Sequence, residues 1–215
     1  MKRKIVIIDD HSVFIQGLSV LIESDSSLQV TGSATNYENG IKLIQEKNPD
    51  LAIVDLNLGD RDGLDLIKEI NTEFPKTKIL VLSMMQERFY SERSLQAGAK
   101  GYVMKAEAAD TVISAIKSVL NGKVWLSPAE QNRYIDNHFQ EPQAGTSNPI
   151  DTLSDRQLQV LRLLGQGNGT IEIAKLLNIS SKTVDAHKEQ LKKKLNCKNS
   201  QELLRLAISQ YHSTR

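Results

Sequence analysis

At 215 residues, with 40% hydrophobic and 25% charged residues and a net charge of +1, the chain is long enough for two domains that each bury a core. One cysteine, Cys197, excludes an internal disulfide framework, and the four apolar residues between Lys4 and Asp9 are too few for a signal-peptide core, so a soluble, cytoplasmic protein is expected. The charge is uneven: residues 1–125 hold 15 Lys and Arg against 17 Asp and Glu, residues 126–150 hold 1 against 3, and residues 151–215 hold 11 against 6, so only the C-terminal part is expected to meet a polyanion.

In chain order, "KIVIIDD" is a continuous apolar run ending on two acids, and helical spacing follows from Ser12 to about Glu23. The pattern repeats with "LQVTGSA" and the segment capped by Asn36, then with "LAIVD" and the segment after Gly63. "KILVLS" with "QERFYSERSLQAGA" and "GYVMK" with "DTVISAIKSVLNG" complete five such units. Strands that are apolar throughout must be covered on both faces, which predicts a doubly wound α/β fold on a five-stranded parallel sheet. "LSPAEQNRYIDNHFQ" reads as a short polar helix within a linker over 125–150, and "EPQAGTSNPIDT" has linker composition. The remainder, 151–215, reads as short helices only, with Ser154 as a cap and two helices joined by a few residues in a helix-turn-helix pattern.

In such sheets ligands bind beyond the carboxyl ends of the strands, where this sequence puts Asp9, Asp10, Asp55, Ser83 and Lys105. Three carboxylates at one rim repel one another unless a hard cation joins them, and oxygen donors suit Mg2+. Lys105 and Ser83 then face the same point, an arrangement able to hold a phosphoryl group while Asp55 acts as nucleophile. Any one of these residues alone reads more simply as a turn or cap residue; the set is what carries weight.

The stretches "IVIIDD", "VDLNLGDRDG", "LVLS" and "GYVMK" resemble the receiver domain of bacterial response regulators, a flavodoxin-like fold, over 1–124. The resemblance implies Asp55 as phosphoacceptor, Mg2+ on Asp10, Asp55 and the backbone carbonyl of Asn57 with Asp9 alongside, and Ser83, Lys105 and Tyr102 as the residues that read the phosphoryl group, Tyr102 by turning inward. Gly59 and Ala106 stand where many receivers carry Pro, and Gly59 leaves its loop freer in φ.

Residues 153–210, through "LSDRQLQVL", "EIAKLLNIS", "KTVDAHKEQLKKKL" and "ELLRLA", resemble the LuxR-type DNA-binding domain, and the pair of domains resembles the NarL/FixJ regulators. The resemblance implies that the helix from Ser181 to Leu195 enters the major groove. Lys182, Thr183, His187, Lys188 and Lys192 are then expected near phosphates, and Asp185, Ala186 and Glu189 near base edges. Gly169 and Thr170 depart from the family's usual Ser/Thr-Asn. The final helix is expected to supply a homodimer surface. A partner histidine kinase, promoter DNA and a phosphorylation switch follow as expectations. The rival readings are an Mg2+-dependent phosphohydrolase, which needs a second acid where Asn57 stands, and a constitutive DNA binder.

Overall fold

A computed structural model describes residues 2–58, 61–139 and 149–212; Gly59 and part of the expected linker, 140–148, lie outside them. Five strands, β1 (Arg3–Ile8), β2 (Leu28–Ala34), β3 (Leu51–Val54), β4 (Lys78–Ser83) and β5 (Gly101–Met104), form one parallel sheet in the order β2-β1-β3-β4-β5. The helices α1 (Ser12–Glu23), α2 (Tyr37–Lys47), α3 (Gly63–Glu73), α4 (Glu87–Ala97) and α5 (Ala109–Leu120) alternate with them. One core joins Ile5, Ile7, Leu51, Ile53, Leu80 and Leu82 to Ile15, Leu18 and Ile22 of α1 and to Val112, Ile116 and Val119 of α5. The alternate residues Val6, Ile8, Ala52, Val54 and Val81 are buried as well, which is why these strands read as unbroken apolar runs. Each fully buried Ile or Leu contributes on the order of 2 kcal/mol.

Local chemistry sets the ends of these elements. Asn36 Oδ1 accepts the Asn39 N–H at 2.9 Å to start α2, and Asp62 Oδ1 accepts the Leu64 N–H at 3.0 Å to start α3. Asn48, Asn178 and Asn196 each end a helix at positive φ (44°, 50° and 53°), a conformation asparagine tolerates because its side chain bonds locally.

The chain divides into two compact units, 1–141 and 142–215. Residues 125–139, the start of the stretch expected as linker, belong to the first. Trp125 bridges to Gly101 at the sheet edge, and α6 (Pro128–Phe139) packs on α4. Ser127 N–H donates to Glu87 Oε1 at 2.8 Å and Arg133 Nη1 donates to the Arg88 carbonyl at 2.6 Å.

The second unit holds α7 (Asp155–Gly165), α8 (Thr170–Leu176), α9 (Ser181–Lys194) and α10 (Ser200–His212) after a 3-10 turn at Pro149–Thr152. Ser154 and Gln157 form a capping box on α7. Leu158, Leu161, Ile173, Val184, Leu191, Leu203 and Ala207 make the core, with α7 packed on α9 and α10 and α8 packed on α9. No helix among the described residues is long and apolar enough to cross a membrane.

Candidate phosphoacceptor site and nucleic-acid interface

Parallel register brings the strand ends to one rim. Ile8 pairs with Val54 and Ser83 with Met104; the Asp55 N–H donates to the Ile8 carbonyl and the Lys105 N–H to the Ser83 carbonyl, each at 2.9 Å. Asp9, Asp55, Ser83 and Lys105 therefore converge, although 28 to 50 residues separate Asp55 from its side-chain partners. Ser83 Oγ donates to Asp55 Oδ1 at 2.7 Å, and Lys105 Nζ stands 2.7 Å from Asp55 Oδ2 and 2.6 Å from Asp9 Oδ2. The Lys105 ammonium also lies over the Phe14 ring, 4.5 Å from its centre.

Burial dominates the electrostatics. It pushes the Asp55 carboxyl above the ordinary aspartate value, against the pull of Lys105 and the Ser83 hydrogen bond. Burial also works against the Lys105 ammonium, but Asp55 and Asp9 outweigh it and hold that pKa above the ordinary lysine value. Lys105 is thus a fixed cation between two buried acids.

Asp10 faces the His11 ring instead, with Nδ1 2.7 Å from Asp10 Oδ1. Its Oδ1 is buried without a hydrogen bond, and ligand atoms of Asp9, Asp10, His11 and Asp55 all lie within 4.8 Å of one another. Three carboxylates and one ammonium leave two negative charges, which a divalent cation neutralises, and the oxygen-rich donor set fits Mg2+. Asn57 is adjacent: its N–H donates to Asp55 Oδ1 at 3.3 Å, and the residue bridges to Asp62 across the loop.

Tyr102 is turned inward, 1% exposed, with its hydroxyl donating to the Met85 carbonyl at 2.8 Å. Burial raises the phenol far above its usual pKa, so it stays a donor. Its backbone N–H donates to the Trp125 carbonyl at 2.9 Å, which links this residue to the segment leading into α6. Sequence reasoning missed four neighbours of the site: His11, Phe14, Gly63 and Met85. Only His11 carried a signal, its place directly after the two acids.

In the second unit, α8 and α9 meet through the turn at 177–180, where the Ser180 hydroxyl accepts the Thr183 N–H at 3.0 Å. Lys182, Thr183, Asp185, Ala186 and Glu189 are exposed on α9, while His187, Lys188 and Lys192 are half-buried. Several of them have partners within the unit. Lys188 Nζ donates to Thr170 Oγ1 at 3.0 Å, Thr170 Oγ1 donates to Asp185 Oδ1 at 3.4 Å, and Lys192 Nζ lies 2.8 Å from Glu189 Oε1. Thr170, one of the departures noted above, therefore ties the start of α8 to α9. Burial, with help from Arg156, holds His187 below the ordinary histidine pKa, so at neutral pH the ring is uncharged.

Comparison with known proteins covers nearly the whole chain. Residues 5–117 match the response regulator receiver domain, and residues 151–207 match the luxR family of bacterial regulatory proteins. The oxygen regulatory protein NreC of Staphylococcus carnosus is 35% identical over 210 residues, covering 95% of this chain and 96% of that protein. NreC of Staphylococcus epidermidis strain ATCC 12228 is 33% identical over the same shares. RcsB of Salmonella enterica serovar Typhimurium, bound to promoter rprA in the presence of the phosphomimetic BeF3-, is 26% identical with a TM-score of 0.72, covering 97% of this chain and 99% of that one.

Proposed function

The chain belongs to the response regulators, a receiver domain joined to a luxR-type DNA-binding domain, and from that premise we propose how this phosphorylation-controlled transcription regulator is switched. A partner histidine kinase presents a phosphohistidine to Asp55. A carboxylate oxygen attacks phosphorus, the P–N bond breaks, and the imidazole leaves with the electron pair and takes up a proton. The observation that carries this reading is the buried Asp55 carboxylate held at 2.7 Å by both Ser83 and Lys105. Lys105 then passes from Asp55 to a phosphoryl oxygen, and Ser83 donates to another. Asp9, Asp10, Asp55 and the Asn57 carbonyl would hold Mg2+, whose charge offsets that of the incoming phosphoryl oxygens. The same residues assist the later hydrolysis of the acyl phosphate.

The docking of α6 on α4 supports counting 125–139 with the receiver, with the domain boundary ahead of residue 151. Leu204 and Ile208, one turn apart on α10 and 41% and 37% exposed, support a homodimer of the phosphorylated form that reads a two-fold DNA site. On α9 the reading assigns Lys182 and Thr183 to phosphates and Ala186 and Glu189 to bases. Neutral His187 offers a hydrogen bond rather than charge, and Lys188 and Asp185 act first in fixing α8 to α9.

A phosphodonor is therefore expected to tighten binding of promoter DNA. Lys182→Ala should weaken binding about equally on every sequence and lower the slope of log affinity against log salt by about 1. An unchanged slope would remove Lys182 from the DNA contacts.

A further inference from the structure

The acidic rim holds one nitrogen that the phosphoryl chemistry leaves unused. His11 stands at the N-cap of α1, yet its side chain makes no capping hydrogen bond. Short oxygen-bearing side chains are preferred there because they reach the first free N–H groups of the helix. The His11 ring turns to the acids instead, with Nδ1 2.7 Å from Asp10 Oδ1 and 3.3 Å from Asp9 Oδ1. The shorter contact lacks hydrogen-bond geometry, and Asp10 Oδ1 remains buried without a hydrogen-bond partner. With Nδ1 unprotonated, this nitrogen and the Asp9 and Asp10 oxygens it faces converge as ligands of one ion converge. The 4.8 Å within which all four donor atoms fall is close to twice a metal–ligand bond of roughly 2.0 to 2.3 Å.

We propose that His11 Nδ1 is a further protein ligand of this site and sets its metal preference toward imidazole-binding divalent ions such as Mn2+ and Ni2+. The inference rests on the reading that the rim binds a divalent cation. Mg2+ is a hard ion that gains little from nitrogen, whereas first-row transition ions bind imidazole with rising affinity from Mn2+ to Ni2+. Coordination uses the neutral ring with its proton on Nε2, and the side chain, 62% exposed, has room for that tautomer. Asp9, Asp10 and Asp55 supply the charge; His11 supplies the discrimination.

The test uses the full chain, wild type and His11→Ala, titrated calorimetrically with Mg2+, Mn2+ and Ni2+, with electron spin-echo spectra of the Mn2+ complex. The wild type should show 14N coupling to bound Mn2+. His11→Ala should lose that coupling and about tenfold in Mn2+ and Ni2+ affinity, with Mg2+ affinity changed less than about twofold and an unaltered thermal melt. Equal Mn2+ affinity in both proteins, without nitrogen coupling in either, would overturn the role of His11 and leave the acidic site standing. No binding of any of the three ions by the wild type would overturn the acidic site itself.

Discussion

Lys105→Met is expected to cost about 3 to 5 kcal/mol of stability at pH 7 and at least about a hundredfold in phosphoryl uptake. The first figure follows from breaking a buried ion pair: Met fills a similar volume but leaves Asp9 and Asp55, each about 2% exposed, without their shared cation. The second follows from removing a donor aimed at charge that develops during transfer. The pH dependence has a definite sign. Lys105 titrates above its ordinary value in the folded protein, so its contribution is complete at neutral pH and is lost only as pH rises through that value. Asp55 is raised, so the folded state binds its proton more tightly than the unfolded chain does. Removing Lys105 takes away the largest effect that opposes this rise. The deficit of the variant should therefore shrink as pH falls from 7 toward about 5, and denaturant melts across that range check it. A deficit that grew on acidification would mean that Lys105 does not neutralise these acids.

Gly63→Ala is the second large effect. A Cβ at this first residue of α3 would stand 2.5 Å from the Asp55 carbonyl oxygen and 2.5 Å from Leu56 Cα. Both are backbone atoms of the segment that carries the phosphoacceptor, so no side chain can yield to make space. A cost of about 2 to 3 kcal/mol is expected, read as a fall in Tm of roughly 5 to 10 °C, together with slower phosphoryl uptake because Asp55 moves off its partners. Gly17→Ala is the control. It lies on the exposed face of α1 with nothing within 4 Å of the added carbon, and helix propensity should make it stabilising by up to about 1 kcal/mol. Equal melting of the two variants would show that Gly63 is not pressed against the acceptor loop.

What the sequence made legible follows from which interactions are local or periodic. Unbroken runs such as "KIVII" and "LAIV" announce strands covered on both faces, and Asn36 and Ser154 cap helices because their oxygens reach N–H groups three residues on. The rim was legible because parallel strands place all their carboxyl ends on one edge, so Asp9, Asp55, Ser83 and Lys105 could be gathered from strand ends alone. The docking of α6 was not. Its contacts with α4 come from Glu130 and Arg133 and from the Ser127 backbone, and a polar helix beside Pro, Gln and Asn has the composition of a linker. Pairings between helices, such as Lys188 with Thr170, depend on packing that no local pattern encodes.

The central claim is that one phosphoryl group on Asp55 controls DNA binding. It is tested most directly by intact mass after incubation with Mg2+ and a small phosphodonor, for wild type and Asp55→Asn, with promoter binding measured on the same samples. One added phosphoryl group in the wild type, absent from the variant and accompanied by tighter DNA binding only in the wild type, is the predicted result. Equal DNA binding by both proteins, with no mass added to either, would contradict it.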